Sequence, residues 1–284
     1  MEKIILLINC PDQKGIIAKI SNYILNKLGN TVYVDQHVDR ERKEFFMRLE
    51  CEFGHEGFGL EQFQETLQQD LAIELNMHIE VYDSKKQPKM AVFVSKFDHC
   101  LYDILSRHQS GELGVEIPLI ISNHENLEHI GEKFSIPYYH IPVTKDTKAT
   151  AEAAQIKLLD AHDVDFMVLA RYMQVLSPEF VAKYPGKIIN IHHSFLPAFP
   201  GAKPYHSAYR RGVKIIGATS HYVTDDLDEG PIIEQEITRV SHIHDVQDFI
   251  LKGRDLEKIV LSRAIKAHIA RKVLVYDNRT VVFS

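Results

Sequence analysis

From residue 90 to residue 191 the chain alternates short, β-branched apolar runs with stretches of helical period. The runs lie at 90–94, 115–122, 138–141, 166–169 and 187–191, and residues 150–161 are one of the helical stretches between them. Apolar runs of this length, with no polar alternation, are strands covered on both faces. Strand–helix alternation of this kind calls for a doubly wound, mostly parallel α/β sheet. Two further strands are predicted at 214–223 and 231–238, with a helix at 204–211 before them and a long amphipathic helix at 245–271 after them. In such sheets ligands bind beyond the carboxyl ends of the strands.

The first segment is built differently. It reads strand 4–9, helix 15–28, hairpin 31–38 and 45–53, helix 60–71 and strand 75–81. That βαββαβ order predicts a ferredoxin-like split βαβ unit with helices on one face of an antiparallel sheet. Charge divides the chain at the same place. Residues 1–85 hold nine Lys/Arg and fifteen Asp/Glu, whereas the rest holds twenty-four of each. The polar stretch Asp83 to Pro88 separates two strand-like runs, so the predicted domains are residues 1–84 and 85–284.

Composition excludes several classes. A net charge of −6 gives no case for nucleic acid. The three cysteines, Cys10, Cys51 and Cys100, form no CxxC pair, so no disulfide framework or zinc ribbon is expected. No run approaches the ~18 apolar residues of a membrane helix, and 4–8 is too short for a signal peptide. A soluble, cytoplasmic protein with no membrane contact is expected. His242 and His244 have a spacing that metals use, but two ligands do not make a site, so no metal is expected. No GxGxxG follows a strand, and no nucleotide cofactor is expected.

The chemistry-bearing stretch is Asn190-Ile191-His192-His193-Ser194-Phe195-Leu196-Pro197-Ala198-Phe199-Pro200-Gly201, at the carboxyl end of a buried strand. Strand alternation puts Asn190 and His192 on one face and turns His193 away. Asn190 offers an amide donor to an oxyanion, and His192 can donate or move a proton. The same residues also read as a strand end that satisfies a turn. A second stretch, Thr219 to Pro231, places Asp225, Asp226, Asp228 and Glu229 between two strands. It reads as a solvated loop, or as a loop that folds one acid back as a general base. It does not match the Ca²⁺ loop pattern.

These motifs together resemble the folate-dependent formyltransferase family. They are Asn190-Ile191-His192 with Ser194, Leu196-Pro197 and Pro200-Gly201, then His221-Tyr222-Val223-Thr224 and Leu227-Asp228-x-Gly230-Pro231, with Leu169 to Pro178 upstream. The resemblance covers about residues 90–240. It implies Asn190, His192 and Asp228 as the catalytic trio. It implies pterin binding through Met173, Gln174 and Leu176, and through the loop that starts at Val223 and Thr224. His221 stands as a support for Asp228, or as a core histidine satisfied by backbone.

One departure bears on the reaction. Family members that formylate a phosphorylated amine carry a glycine-rich loop after the first strand, where backbone N–H groups close on the phosphate. This chain has no glycine between Gly59 and Gly111, and the loop reads Ser95-Lys96-Phe97-Asp98-His99. Asn9-Cys10-Pro11-Asp12-Gln13-Lys14-Gly15-Ile16, joining strand to helix in the first segment, resembles the ACT domain. Such domains bind small amino acids, so the resemblance implies methionine or glycine as effector near Asp12, Gly15 and Ile16, and a homo-oligomer, dimer or tetramer. The pairing of the two domains resembles the hydrolytic branch of the family. It implies an enzyme cleaving a formamide C–N bond, taking 10-formyltetrahydrofolate to tetrahydrofolate and formate and adjusting one-carbon pools for purine synthesis. The alternatives are a formyltransferase to a phosphate-free amine and a non-catalytic amino-acid sensor.

Overall fold

The structure, a computed structural model, describes residues 2–54, 58–198 and 204–284. Phe199, Pro200 and Gly201 of the central motif therefore lie outside the described residues. Two compact units emerge. One comprises Met1–Gln87 with Arg271–Tyr276 and Val281–Ser284, and the other Pro88–Ala270 with Asp277–Thr280. The expected division put everything after residue 84 in the second domain. It is corrected at the C-terminus, where apolar residues return to the first unit.

In the first unit β1 (Glu2–Pro11), α1 (Ile16–Asn26), β2 (Gly29–Asp39) and β3 (Glu44–Phe53) follow the predicted order. The second helix runs longer than its periodicity suggested. α2 (Leu60–Leu67) continues through a π-helical turn, Gln68–Ala72, into α3 (Ile73–Leu75), so β4 begins only at His78 and spans His78–Asp83. Leu71, Ala72 and Leu75 all face the core, which keeps the chain helical past the expected end. The sheet order is β2-β3-β1-β4, with every pair antiparallel. Ile16, Ile20 and Ile24 of α1 and Phe63 and Leu67 of α2 pack on Ile4, Leu6 and Ile8 of β1.

In the second unit β5 (Met90–Val94) is buried throughout. It is followed by α4 (His99–Gln109), β6 (Ile120–Ser122), α5 (Glu128–Phe134), β7 (Tyr138–His140), α6 (Lys148–Ala161), β8 (Phe166–Leu169), α7 (Pro178–Lys183), β9 (Ile188–His192) and α8 (Pro204–Arg211). Then come β10 (Ile215–Tyr222), β11 (Ile232–Arg239) and α9 (Val246–Ile269). The strand expected at 115–122 shortens to β6, because Pro118 has no N–H for a ladder. Among the described residues seven strands form one sheet, ordered β11-β10-β9-β8-β5-β6-β7. It is parallel from β9 to β7, and antiparallel where β10 and β11 join.

α9 starts with a reciprocal capping box between Asp245 and Asp248. Gly253 sits where a Cβ would lie 2.1 Å from the Tyr205 ring, so only glycine admits that ring against the helix. After α9 come β12 (Val273–Tyr276) and β13 (Arg279–Val282), which pair as a hairpin. Leu274, Val281 and Phe283 cover Leu7 and Phe46 on the sheet face opposite α1 and α2. Among the described residues no helix is long and apolar enough to cross a membrane.

Candidate active site

β9 and β10 run antiparallel with His221 opposite Asn190 and Thr219 opposite His192. Directly opposed residues on one face touch. Asn190 Nδ2 lies 3.2 Å from His221 Nε2. His221 Nδ1 lies 2.9 Å from the Tyr222 carbonyl, which can only accept, so Nδ1 carries the proton. Burial holds His221 below the ordinary imidazole pKa and keeps the ring neutral. Its Nε2 therefore accepts from Asn190. That contact fixes which way the Asn190 amide faces and leaves its second N–H for a ligand.

The loop after β10 folds back across this face. Gly230 makes the return possible, since a Cβ there would lie 1.8 Å from the Tyr222 carbonyl oxygen. Asp228, with φ of 58°, then meets both histidines. Its Oδ1 lies 3.2 Å from His192 Nδ1 and 3.8 Å from His221 Nε2. Burial pushes the Asp228 carboxyl up. The hydrogen bond from His192, with the neighbouring imidazole environment, outweighs that and holds it below the usual aspartate value. With Nδ1 turned to Asp228, His192 Nε2 is buried and has no hydrogen bond among the described residues.

Asn190, His192, His221 and Asp228 line a cleft of about 270 Å³. Its other walls include Met173, Gln174 and Leu176 beyond the carboxyl end of β8, and Val223 and Thr224 beyond β10. All five residues expected to bind a pterin thus share one cavity with the trio. Met173 and Val175 are exposed while Leu176 is buried, which gives that segment an apolar lip over a packed base. The turn after β9 is held by Thr219 Oγ1, which donates to the Ser194 carbonyl and accepts from the Leu196 amide.

The expectation for His193 is corrected. The strand ends at His192, so alternation no longer applies, and the chain bends. His193 is buried, lines the same cleft and packs on the His192 ring at 5.3 Å between centroids. Among the effector candidates, Asp12 is exposed and Gly15 is the uncapped start of α1. The Ile16 side chain is committed to the core, which leaves only its backbone for a ligand. His244 accepts from the Ser241 amide, and His242 is exposed, in a loop.

Residues 88–265 match the formyl transferase family. This chain belongs to that family. A formyltetrahydrofolate deformylase from Synechocystis sp. is 50% identical over 279 residues, which is 98% of each chain. A protein of that name from Bacillus subtilis is 44% identical over 283 residues, covering 98% of this chain and 93% of the relative. The crystal structure of a formyltetrahydrofolate deformylase from Pseudomonas syringae pv. tomato superposes with a TM-score of 0.96 at 45% identity. It covers 100% of this chain and 95% of that one.

Within this formyl transferase unit, the loop after β5 holds side chains instead of a glycine cradle. Arg171 and Arg254 both lie over the Phe97 ring, at 4.9 and 5.8 Å from its centroid. His99 Nε2 lies 2.8 Å from Glu257 Oε2, Tyr205 donates to Glu257 Oε1 at 2.7 Å, and Arg171 Nε lies 3.4 Å away. Burial raises Glu257, but His99, Arg171 and Tyr205 outweigh it and keep the carboxyl below its ordinary value. Glu257, Arg171 and Tyr205 were missed from the sequence as a group. They come from α9, the end of β8 and α8, and only the fold brings them together. His99, Cys100 and Glu257 also cluster closely enough for a metal, yet Arg171 already places a cation on that carboxylate.

Proposed function

We infer that this chain hydrolyses 10-formyltetrahydrofolate to tetrahydrofolate and formate. Full-length relatives carry the corresponding name at 44–50% identity. The observation that carries the reading is the convergence of Asn190, His192 and Asp228 in one cleft with the Met173 and Val223 segments. The pterin lies along Met173, Gln174, Leu176, Val223 and Thr224, with N10 toward the trio.

The chemistry follows from the donor set. Water held by Asp228 attacks the formyl carbon and gives its proton to the carboxylate. The free N–H of Asn190 meets the oxyanion, with His192 beside it. The proton then reaches N10, by way of His192 or a water, as the C–N bond breaks. The tetrahedral carbon collapses to formate, and tetrahydrofolate leaves. These steps call for no metal or nucleotide. Turnover in H₂¹⁸O places one ¹⁸O in each formate released; formate without label rules out water as the acceptor.

The first unit is the regulatory part of this reading, an ACT domain. Its βαββαβ order and four-stranded antiparallel sheet support that assignment. Methionine or glycine would place its carboxylate on the uncapped amides at Gly15 and Ile16 and its amine on Asp12. Isothermal calorimetry at millimolar methionine and glycine tests this, and no heat with either amino acid defeats it. Pairing through the β2 or β4 edge would give the dimer or tetramer, which light scattering resolves. A cytoplasmic setting suits the three buried free thiols.

A further inference from the structure

We propose that a second cavity, behind the catalytic cleft, is a binding site for a small carboxylate and takes up the formate product. It rests on the hydrolytic reading above. The cavity measures about 310 Å³ and shares Arg171 and His193 with the cleft as a common wall. Such a volume holds a small anion with several waters, at ~30 Å³ per water.

The walls are chosen for an anion. Arg171, Arg254, His99, His193 and His206 face it, against one acid, Glu257. That acid is 1% exposed and already saturated by His99, Tyr205 and Arg171, so it does not repel an anion as a free carboxylate would. Two buried nitrogens there have no hydrogen bond among the described residues, Arg171 Nε and His99 Nδ1. Arg171 is only 7% exposed. Arg171 Nε is ion-paired with Glu257 Oε2 at 3.4 Å, whereas the Arg254 guanidinium has no ion pair among the described residues and is the cation left for a carboxylate. A guanidinium matches the planar, two-oxygen edge of a carboxylate.

The same site is poorly suited to phosphate. The loop bearing Phe97 and His99 has no glycine whose amides could wrap a tetrahedral anion. The Phe97 ring, stacked under both arginines, and Ile250 make the floor apolar.

The test uses ¹³C-formate binding to the full-length protein by NMR line broadening, with inorganic phosphate as the second probe. Formate is expected to bind, and phosphate to bind at least tenfold more weakly. Arg254→Gln is expected to weaken formate by fivefold or more, and Arg254→Lys by less than threefold. Thermal melting shows that each variant is folded. Formate binding unchanged in Arg254→Gln, or phosphate binding tighter than formate, overturns the proposal. Formate release from 10-formyltetrahydrofolate is followed on the same preparation. Bound formate without turnover counts against the hydrolytic reading and leaves a carboxylate site. Turnover without any formate binding counts against the site alone.

Discussion

Asn190 Nδ2 and His221 Nε2 stand 3.2 Å apart because β9 and β10 place the two residues directly opposite each other. The Tyr222 carbonyl fixes the proton on the far nitrogen of His221. The near nitrogen then accepts, and the Asn190 amide is held with one N–H toward the cleft. An oxyanion donor set in advance costs no reorganisation during the reaction.

Asn190→Ala is therefore expected to lower kcat by roughly 10²–10³-fold, the usual cost of one oxyanion donor. KM should change little, because the proposed pterin wall, Met173 to Leu176 and Val223–Thr224, lies apart from this amide. Steady-state kinetics with 10-formyltetrahydrofolate checks this, and near-normal turnover would remove Asn190 from the reaction.

Asp228→Asn keeps the shape of the loop but removes the carboxylate next to His192. It should abolish most turnover and retain folate binding by fluorescence titration. Loss of folate binding as well would make Asp228 a structural residue.

The pH dependence of stability follows from His221 and Asp228, which both have depressed pKa values in the folded state. The unfolded chain then binds more protons than the folded one as pH falls through the ordinary values, so acid favours unfolding. For His221 this stability is complete above the ordinary imidazole value and is lost as pH falls through the folded value. For Asp228 the same loss begins lower, below the ordinary aspartate value. Melting temperature should therefore fall on acidification from pH 7 to 5, and fall less in His221→Gln. An identical slope in the two proteins would contradict the assignment.

Glu257→Gln leaves Arg171 buried without its anion. Removing one partner of a buried pair costs about 3–5 kcal/mol. Urea melts should register a loss of that order, and a change within experimental error would mean that the network adds nothing to stability.

Much of this was legible in the sequence. Alternating apolar runs located the sheet of the second unit, because buried parallel strands leave that pattern directly. Strand alternation put Asn190 and His192 on one face and Gly230-Pro231 marked the return of the loop, but only the family resemblance singled out Asp228 from the acids beside it. His193 was misplaced because strand alternation stops where the strand stops, and no local signal marks that residue. The C-terminal hairpin escaped because its few apolar residues, Leu274, Val281 and Phe283, pack on residues far away in sequence. The Glu257 network was invisible for the same reason. An acid inside an amphipathic helix looks solvated until His99, Arg171 and Tyr205 are brought to it.

The most direct measurement is formate release from 10-formyltetrahydrofolate by the purified chain, with no amine acceptor present. Many formates per active site with equimolar tetrahydrofolate are expected, and almost none with Asp228→Asn. Formate that appears only after an amine is added, or equal rates in the two proteins, would contradict it.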